Sequence, residues 1–304
     1  MGDMRVVTLS LHAMATRFEL VLCGEDEMRL RSAGEEALNE VEMLDAQLSA
    51  FRPESEISGV NARAASEPVR VTPQLFRLLQ QATALSEKTD GAFDITIGPL
   101  MRAWGFREAV PPLPSRGLGG GLPSHTDLEQ VISITGMSHV VLDEANLTVS
   151  FDRPGVSLDL GAIGKGYAVQ RAADLMRELG VSSALLHGGT SSVYAIGSSP
   201  DGPDWPVAIR HPQDPEKMLE VVKLRDASLS VSAVHGKSFF KGNVEFGHVI
   251  DPRAGMPSQS AALAAVVGPD ATEGDALSTA LLVLGKEWLP RLIDEAKGMK
   301  GWVV

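Results

Sequence analysis

The second half of the chain is written almost entirely in strand pattern, and this restricts the fold more than any other feature. "HVVLD", "LTVSF", "VSLDL", "SALLHGG", "SSVYAIG", "WPVAIR", "LEVVKL", "ASLSVSA" and "AALAAVV" are short apolar or alternating runs separated by turn residues. Two helical patterns interrupt them. One runs from Gly166 to Leu179 and is closed by Gly180 in the C-cap position; the other is "DALSTALLVLG", from about Asp275.

The first half has the opposite character. After two short strands within residues 5–22, turning at Met14 to Thr16, apolar residues recur every three or four positions at Leu30, Ala33, Ala37, Val41, Leu44 and Leu48, which predicts one helix over Glu27–Leu48. Thr72 followed by Pro73 opens another. "GPLMRAWGF" fits a short helix ending at Gly105, and a capping box of Thr126 with Glu129 opens a helix to about Ile134. "FRPESEISGVNA" and the Pro/Gly-rich residues 111–124 read as loops. Helices and strands segregated in this way predict an α+β fold of two interlocked lobes, not regular βαβ winding.

The net charge of −12 sets up a field that repels nucleic acid and anionic lipid, and no dense Lys/Arg run offsets it. No nucleic-acid partner is expected. No segment approaches the roughly 20 apolar residues of a bilayer span. With Cys23 as the single cysteine, an internal disulfide is ruled out, and a strand position is expected for it. Leu22 before Cys23, and His12, Arg17 and Glu19 upstream, do not fit a lipobox or a signal peptide. The location therefore stays open between the cytoplasm and an exported protein whose signal has been removed.

Four segments carry candidate chemistry. In "VSLDLGAIGKG", Gly161, Gly164 and Gly166 surround Lys165 where a strand pattern passes into a helix. Asp159 stands where a P-loop needs glycine and Gly166 where it needs a hydroxyl, and the glycine spacing is the reverse of a dinucleotide fingerprint. What remains is either an anion site at a helix N-terminus or a tight connection with Lys165 in solvent. Asp159, flanked by Leu158 and Leu160, must face solvent or find a partner. In "EGDALSTALLVLG", Asp275 and Thr279 share one helix face beside Ser278, a set of hard oxygens suited to Mg2+, or else a helix cap and a hydroxyl bonded back to a carbonyl. "GHVIDPRAG" holds His248, with a pKa suited to proton transfer, before an Asp251 turn. "DGAFDITIGP" flanks Phe93 with Asp90 and Asp94, to hold an aromatic ligand or to bury the phenylalanine beneath a turn.

Together with "MATRF" and "LDAQLSAFRPESEISGVNA", and in this order, these segments resemble the FAD:protein FMN transferase family, also called the ApbE family, over nearly the whole chain. The resemblance implies an ApbE-like fold of two interlocked lobes forming a single catalytic domain over residues 1–304, with FAD bound at the junction. It implies a Mg2+-dependent enzyme that cleaves the FAD pyrophosphate and attaches FMN by a phosphoester to a threonine of an acceptor protein. Met14, Phe51, Ala92, Phe93, Asp94, Asp159, Lys165 and Ile250 would line the FAD site. The carbonyl of Ala162 with Asp275, Ser278 and Thr279 would hold the metal, and His248 would be the base. Phe51 stands where a tyrosine is common in the family, and "GAIGKG" replaces Gly-Gly-Ile-Ala-Lys-Gly. A FAD pyrophosphatase releasing FMN and AMP, and a flavin carrier without enzymatic activity, remain alternatives. The sequence names neither the acceptor nor the oligomeric state.

Overall fold

The computed structural model describes residues 4–107, 122–234, 238–241, 244–295 and 298–304. In chain order the elements are β1 (Arg5–Ala13), β2 (Thr16–Gly24), α1 (Glu27–Leu48), α2 (Glu56–Arg63), β3 (Val69–Arg70), α3 (Pro73–Lys88), α4 (Gly98–Ala103) and α5 (His125–Ile132). There follow β4 (Val140–Asp143), β5 (Thr148–Phe151), α6 (Gly164–Glu178), β6 (Ala184–Gly188), β7 (Ser192–Ile196), β8 (Trp205–His211), β9 (Asp214–Leu224) and β10 (Ala227–Ala233). The last are β11 (Ser238–Lys241), β12 (Val244–Gly247), β13 (Ile250–Asp251), β14 (Met256–Pro257), β15 (Leu263–Gly268), α7 (Ala271–Leu284), α8 (Leu289–Glu295) and β16 (Lys300–Val303). The fold class is α+β, as the segregated patterns predict.

These elements form two compact units. The first comprises the chain up to Gln47, Ile163–Ala233 and the residues from Ala261 onward; the second comprises Leu48–Ala162 and Val234–Ser260.

In the first unit, seven strands form one sheet in the order β1-β2-β6-β7-β10-β15-β16, each neighbouring pair antiparallel. Met14 and Ala15 make the β1–β2 turn at φ 50° and 57°, a conformation that side chains other than glycine rarely adopt. β7 is buried at every position because both faces of the sheet are covered there. Helices α6 and α7 pack on one face. On the other, Trp205, Val207, Ile209, Val222 and Leu224 of the β8–β9 hairpin cluster with Val193, Leu229 and Ala265. Phe18, Leu20 and Leu22 of β2 are fully buried, each contributing about 2 kcal/mol by its removal from water. Cys23 beside them is buried as well. α7 starts at Ala271, four residues before the expected start, because Asp270 accepts the Glu273 N–H at 2.9 Å and is the true cap. α6 likewise starts at Gly164 rather than Gly166.

The second unit joins α2, α3, α4 and α5 to a three-stranded sheet, β3-β5-β4, and to the hairpins β11–β12 and β13–β14. Its aromatic core runs through Trp104, Phe246, Phe239 and Phe106, ring to ring at 5.5–5.6 Å. The Trp104 Nε1–H donates to the Gly255 carbonyl at 2.8 Å.

Three further expectations do not hold. "FRPESEISGVNA" is not all loop: Ser55 accepts the Ser58 N–H and starts α2, whose Ile57 and Val60, three apart and fully buried, outweigh the helix-weakening Gly59. The capping box of α5 is Ser124 with Asp127, an overlapping pattern two residues earlier than Thr126 with Glu129. "VSLDL" is not a strand. The Asn61 side chain donates to the Leu158 carbonyl at 2.9 Å and accepts the Leu158 N–H at 2.7 Å, while the Asp159 N–H donates to the Ile95 carbonyl, so single partners replace a ladder. Most of the Pro/Gly-rich loop at 111–124 lies outside the described residues.

Candidate active site

In the first unit the candidate residues gather where α6 meets α7. The Gly166 N–H in the first turn of α6 donates to Asp275 Oδ2 at 2.8 Å. This approach depends on glycine, since a Cβ at position 166 would lie 2.2 Å from the Ala271 carbonyl oxygen and 2.5 Å from Asp275 Cβ. Asp275 is only 3% exposed, and its pKa is raised because burial penalises the carboxylate more than the nearby Lys165 charge and the Gly166 N–H favour it. It lies one turn inside α7, so it is not the helix cap that the sequence left open. Ser278 Oγ and Thr279 Oγ1 lie within donating distance of the Asp275 carbonyl oxygen, at 3.0 and 3.2 Å, and both also lie within hydrogen-bond distance of Ser232 Oγ. One carboxylate and two hydroxyls are thereby held within one turn of one helix. Among the described residues no group of three or more His, Cys, Asp or Glu offers a competing multi-carboxylate centre. Met14, also in this unit, sits in the β1–β2 turn, where its N–H donates to Asp45 Oδ1 at 3.0 Å.

In the second unit Asp159 finds the partner its position demanded. Arg107 Nη1 lies 3.3 Å from Asp159 Oδ2, the Gly161 N–H donates to Asp159 Oδ1, and the guanidinium also reaches the Ala50 carbonyl. The same guanidinium lies 4.8 Å from the centroid of the Phe51 ring, which is otherwise 70% exposed. Ala162, the proposed carbonyl donor, is half-buried at the end of this segment, immediately before Ile163.

Asp94 is almost fully engaged by its own loop and by the main chain at Met137. Its carboxylate accepts from Thr96 N at 2.7 Å, Thr96 Oγ1 at 2.6 Å and Met137 N at 2.9 Å, while burial still raises its pKa against these bonds. Ala92 and Phe93 are buried, so the Phe93 ring is a core side chain beneath a turn formed by Asp90 and Gly91, both at positive φ. Ile250 is buried in β13 opposite Pro257. His248, half-buried between β12 and β13, meets the edge of Phe106 at 6.5 Å between centroids. The following "DPRAG" is turn chemistry as read: the Asp251 carbonyl accepts the Gly255 N–H, and its carboxylate holds the Arg253 guanidinium at 2.8 and 2.9 Å. Burial opposes ionisation of Asp251, but the Arg253 bonds outweigh it and hold the pKa below the usual range.

The sequence reading missed Arg107, Asn61 and Ser232. Their partners are 52, 97 and 46–47 residues away, and no local spacing signals such pairs.

The sequence matches the ApbE family over residues 14–302. It is 32% identical over 282 residues to a FAD:protein FMN transferase of Treponema pallidum, covering 89% of this chain and 76% of the relative. It is 31% identical over 250 residues to one of Vibrio cholerae, covering 81% and 72%. Among solved structures it is similar to the ApbE protein of Thermotoga maritima, with a TM-score of 0.87 and 27% identity across 99% of this chain and 94% of that one. The signature on α6 and α7, the turn at Met14 and the Asp159 segment all fall inside the matched region, and the chain belongs to the ApbE family.

Proposed function

We propose that this ApbE-family transferase is a Mg2+-dependent FAD:protein FMN transferase, acting as one catalytic domain over its whole length. The observation that carries the reading is the buried Asp275 carboxylate with Ser278 and Thr279 beside it, in a chain whose relatives are named FAD:protein FMN transferase. The residues present fit Mg2+: the donors are hard oxygens, and a carboxylate whose burial outweighs its available hydrogen bond and lysine charge is one that a dication would stabilise. Asp275 and Thr279 would hold the ion with the Ala162 carbonyl, Ser278 lying beside them. When bound, Mg2+ supplies the positive charge that offsets charge build-up on the phosphate oxygens.

The remaining roles fall to the chain's own groups. Phe51 offers an exposed ring to the flavin, and Asp159 offers carboxylate oxygens to flavin N–H groups. Met14, Ala92, Phe93, Asp94 and Ile250, held in turns and core, shape the flavin site by backbone and fixed surface, and Lys165 adds a cationic donor. His248 takes the proton of the acceptor threonine hydroxyl. The threonine oxygen then bonds to the FMN-side phosphorus, the bridging P–O bond breaks, and its electron pair leaves with AMP.

The test incubates the protein with FAD and Mg2+, with and without a threonine-bearing acceptor. Flavin fluorescence on the acceptor band in a denaturing gel, dependent on Mg2+, is the expected result. Release of FMN and AMP regardless of acceptor would replace the reading with a pyrophosphatase, and FAD left intact would replace it with a carrier.

A further inference from the structure

The serines of β10 at positions 228, 230 and 232 alternate with Leu229 and Val231, so they share the sheet face that packs against α7. That face brings the helix in close. A Cβ at Gly274 would lie 3.0 Å from Ser230 Oγ, so the residue before Asp275 sits almost directly on the strand. Ser228 is satisfied by the Gly268 carbonyl at 2.9 Å. Ser232 instead reaches the candidate cation ligands, 2.8 Å from Ser278 Oγ and 3.1 Å from Thr279 Oγ1.

A proton count limits how these contacts can be shared. Ser232, Ser278 and Thr279 carry one hydroxyl proton each, yet they make four contacts: the two from Ser232 and the two onto the Asp275 carbonyl. One contact must go without a proton. A neutral hydroxyl that ligates a cation must also turn its proton away from the ion. Both demands are met when Thr279 donates to Ser232 at 3.1 Å, Ser232 to Ser278 at 2.8 Å, and Ser278 to the Asp275 carbonyl at 3.0 Å. The contact released is the longest, from Thr279 to that carbonyl at 3.2 Å.

We infer that Ser232 is a positioning residue for the cation site: it takes the Thr279 proton and so turns the Thr279 lone pairs toward the metal. The inference rests on the proposed role of Asp275 and Thr279 as metal ligands. Residues that orient a ligand in this way typically change metal affinity by about tenfold or more when removed.

The test titrates the full chain with Mn2+, a hard-oxygen stand-in for Mg2+, and reads free Mn2+ by electron paramagnetic resonance. The variants are Ser232→Ala, Ser232→Thr and Asp275→Ala. The expected result is about tenfold weaker Mn2+ binding in Ser232→Ala, recovery in Ser232→Thr, which keeps a hydroxyl on a strand-compatible side chain, and FAD affinity unchanged in both. Wild-type Mn2+ affinity in Ser232→Ala, with binding lost in Asp275→Ala, overturns the Ser232 role alone. Equal weakening in Ser232→Ala and Ser232→Thr also overturns it, since it assigns the serine to packing. Wild-type affinity in Asp275→Ala overturns the metal reading and the inference together.

Discussion

Arg107 and Asp159 form a nearly buried ion pair, with side chains 10% and 12% exposed and Nη1 3.3 Å from Oδ2. It links the end of the "MRAWGFR" segment to the segment that precedes α6. Arg107→Met should cost about 3 kcal/mol of stability, because it strands a carboxylate where water cannot reach it well. Adding Asp159→Asn should recover part of that loss. A urea denaturation cycle over the four proteins measures both, and an unchanged midpoint in Arg107→Met would show that the pair is solvated.

Asp275 couples stability to pH with a definite sign. Its folded-state pKa is raised, so the native protein holds a proton at pH values where the unfolded chain has released it. In the metal-free protein, stability from this group is therefore present below the ordinary carboxylate pKa of about 4 and is lost as pH rises above it. Asp275→Asn removes the ionisation while keeping an acceptor for the Gly166 N–H. The variant should be more stable than wild type near neutral pH, the advantage should vanish in acid, and metal-dependent cleavage of FAD should be lost. Thermal melts of both proteins across pH, without divalent cations, check the sign.

Much of the scaffold was legible because the signals are local. The apolar period of Glu27–Leu48, the Thr72–Pro73 start and Gly180 after α6 each depend on residues within a few positions. Asp275, Ser278 and Thr279 were legible as a group for the same reason: helical spacing alone puts them on one turn. What supports them was not legible. Gly166 is 109 residues from Asp275 and Ser232 is 46 from Ser278, so only the folded sheet brings them into place. "VSLDL" misled because apolar periodicity reports burial, while a strand also needs a neighbour, and here the Asn61 amide stands in for one.

Asp270 gives a clean test of the relocated start of α7. Its carboxylate caps Glu273 N, outside the proposed metal ligands. Asp270→Ala should lower stability by about 1 kcal/mol, and Asp270→Asn or Asp270→Ser should restore most of it. A helix that began at Asp275 would leave all three variants alike in a denaturation series.

Gly166→Ala tests the contact on which the α6–α7 geometry depends. The added methyl would stand 2.2 Å from the Ala271 carbonyl oxygen and 2.5 Å from Asp275 Cβ, and the first of these is backbone that cannot rotate away. The helices must separate, at a cost of about 2 kcal/mol by analogy with overpacked cores, and the Gly166 N–H must draw back from Asp275 Oδ2. The carboxylate then loses its main-chain donor while staying largely buried. The variant should melt lower and should bind Mn2+ more weakly, whereas Gly59→Ala in α2, where a Cβ meets only the Arg63 side chain at 3.9 Å, should hold or gain stability. If Gly166→Ala behaves like Gly59→Ala in both measurements, the close approach of α6 to α7 is not what positions Asp275.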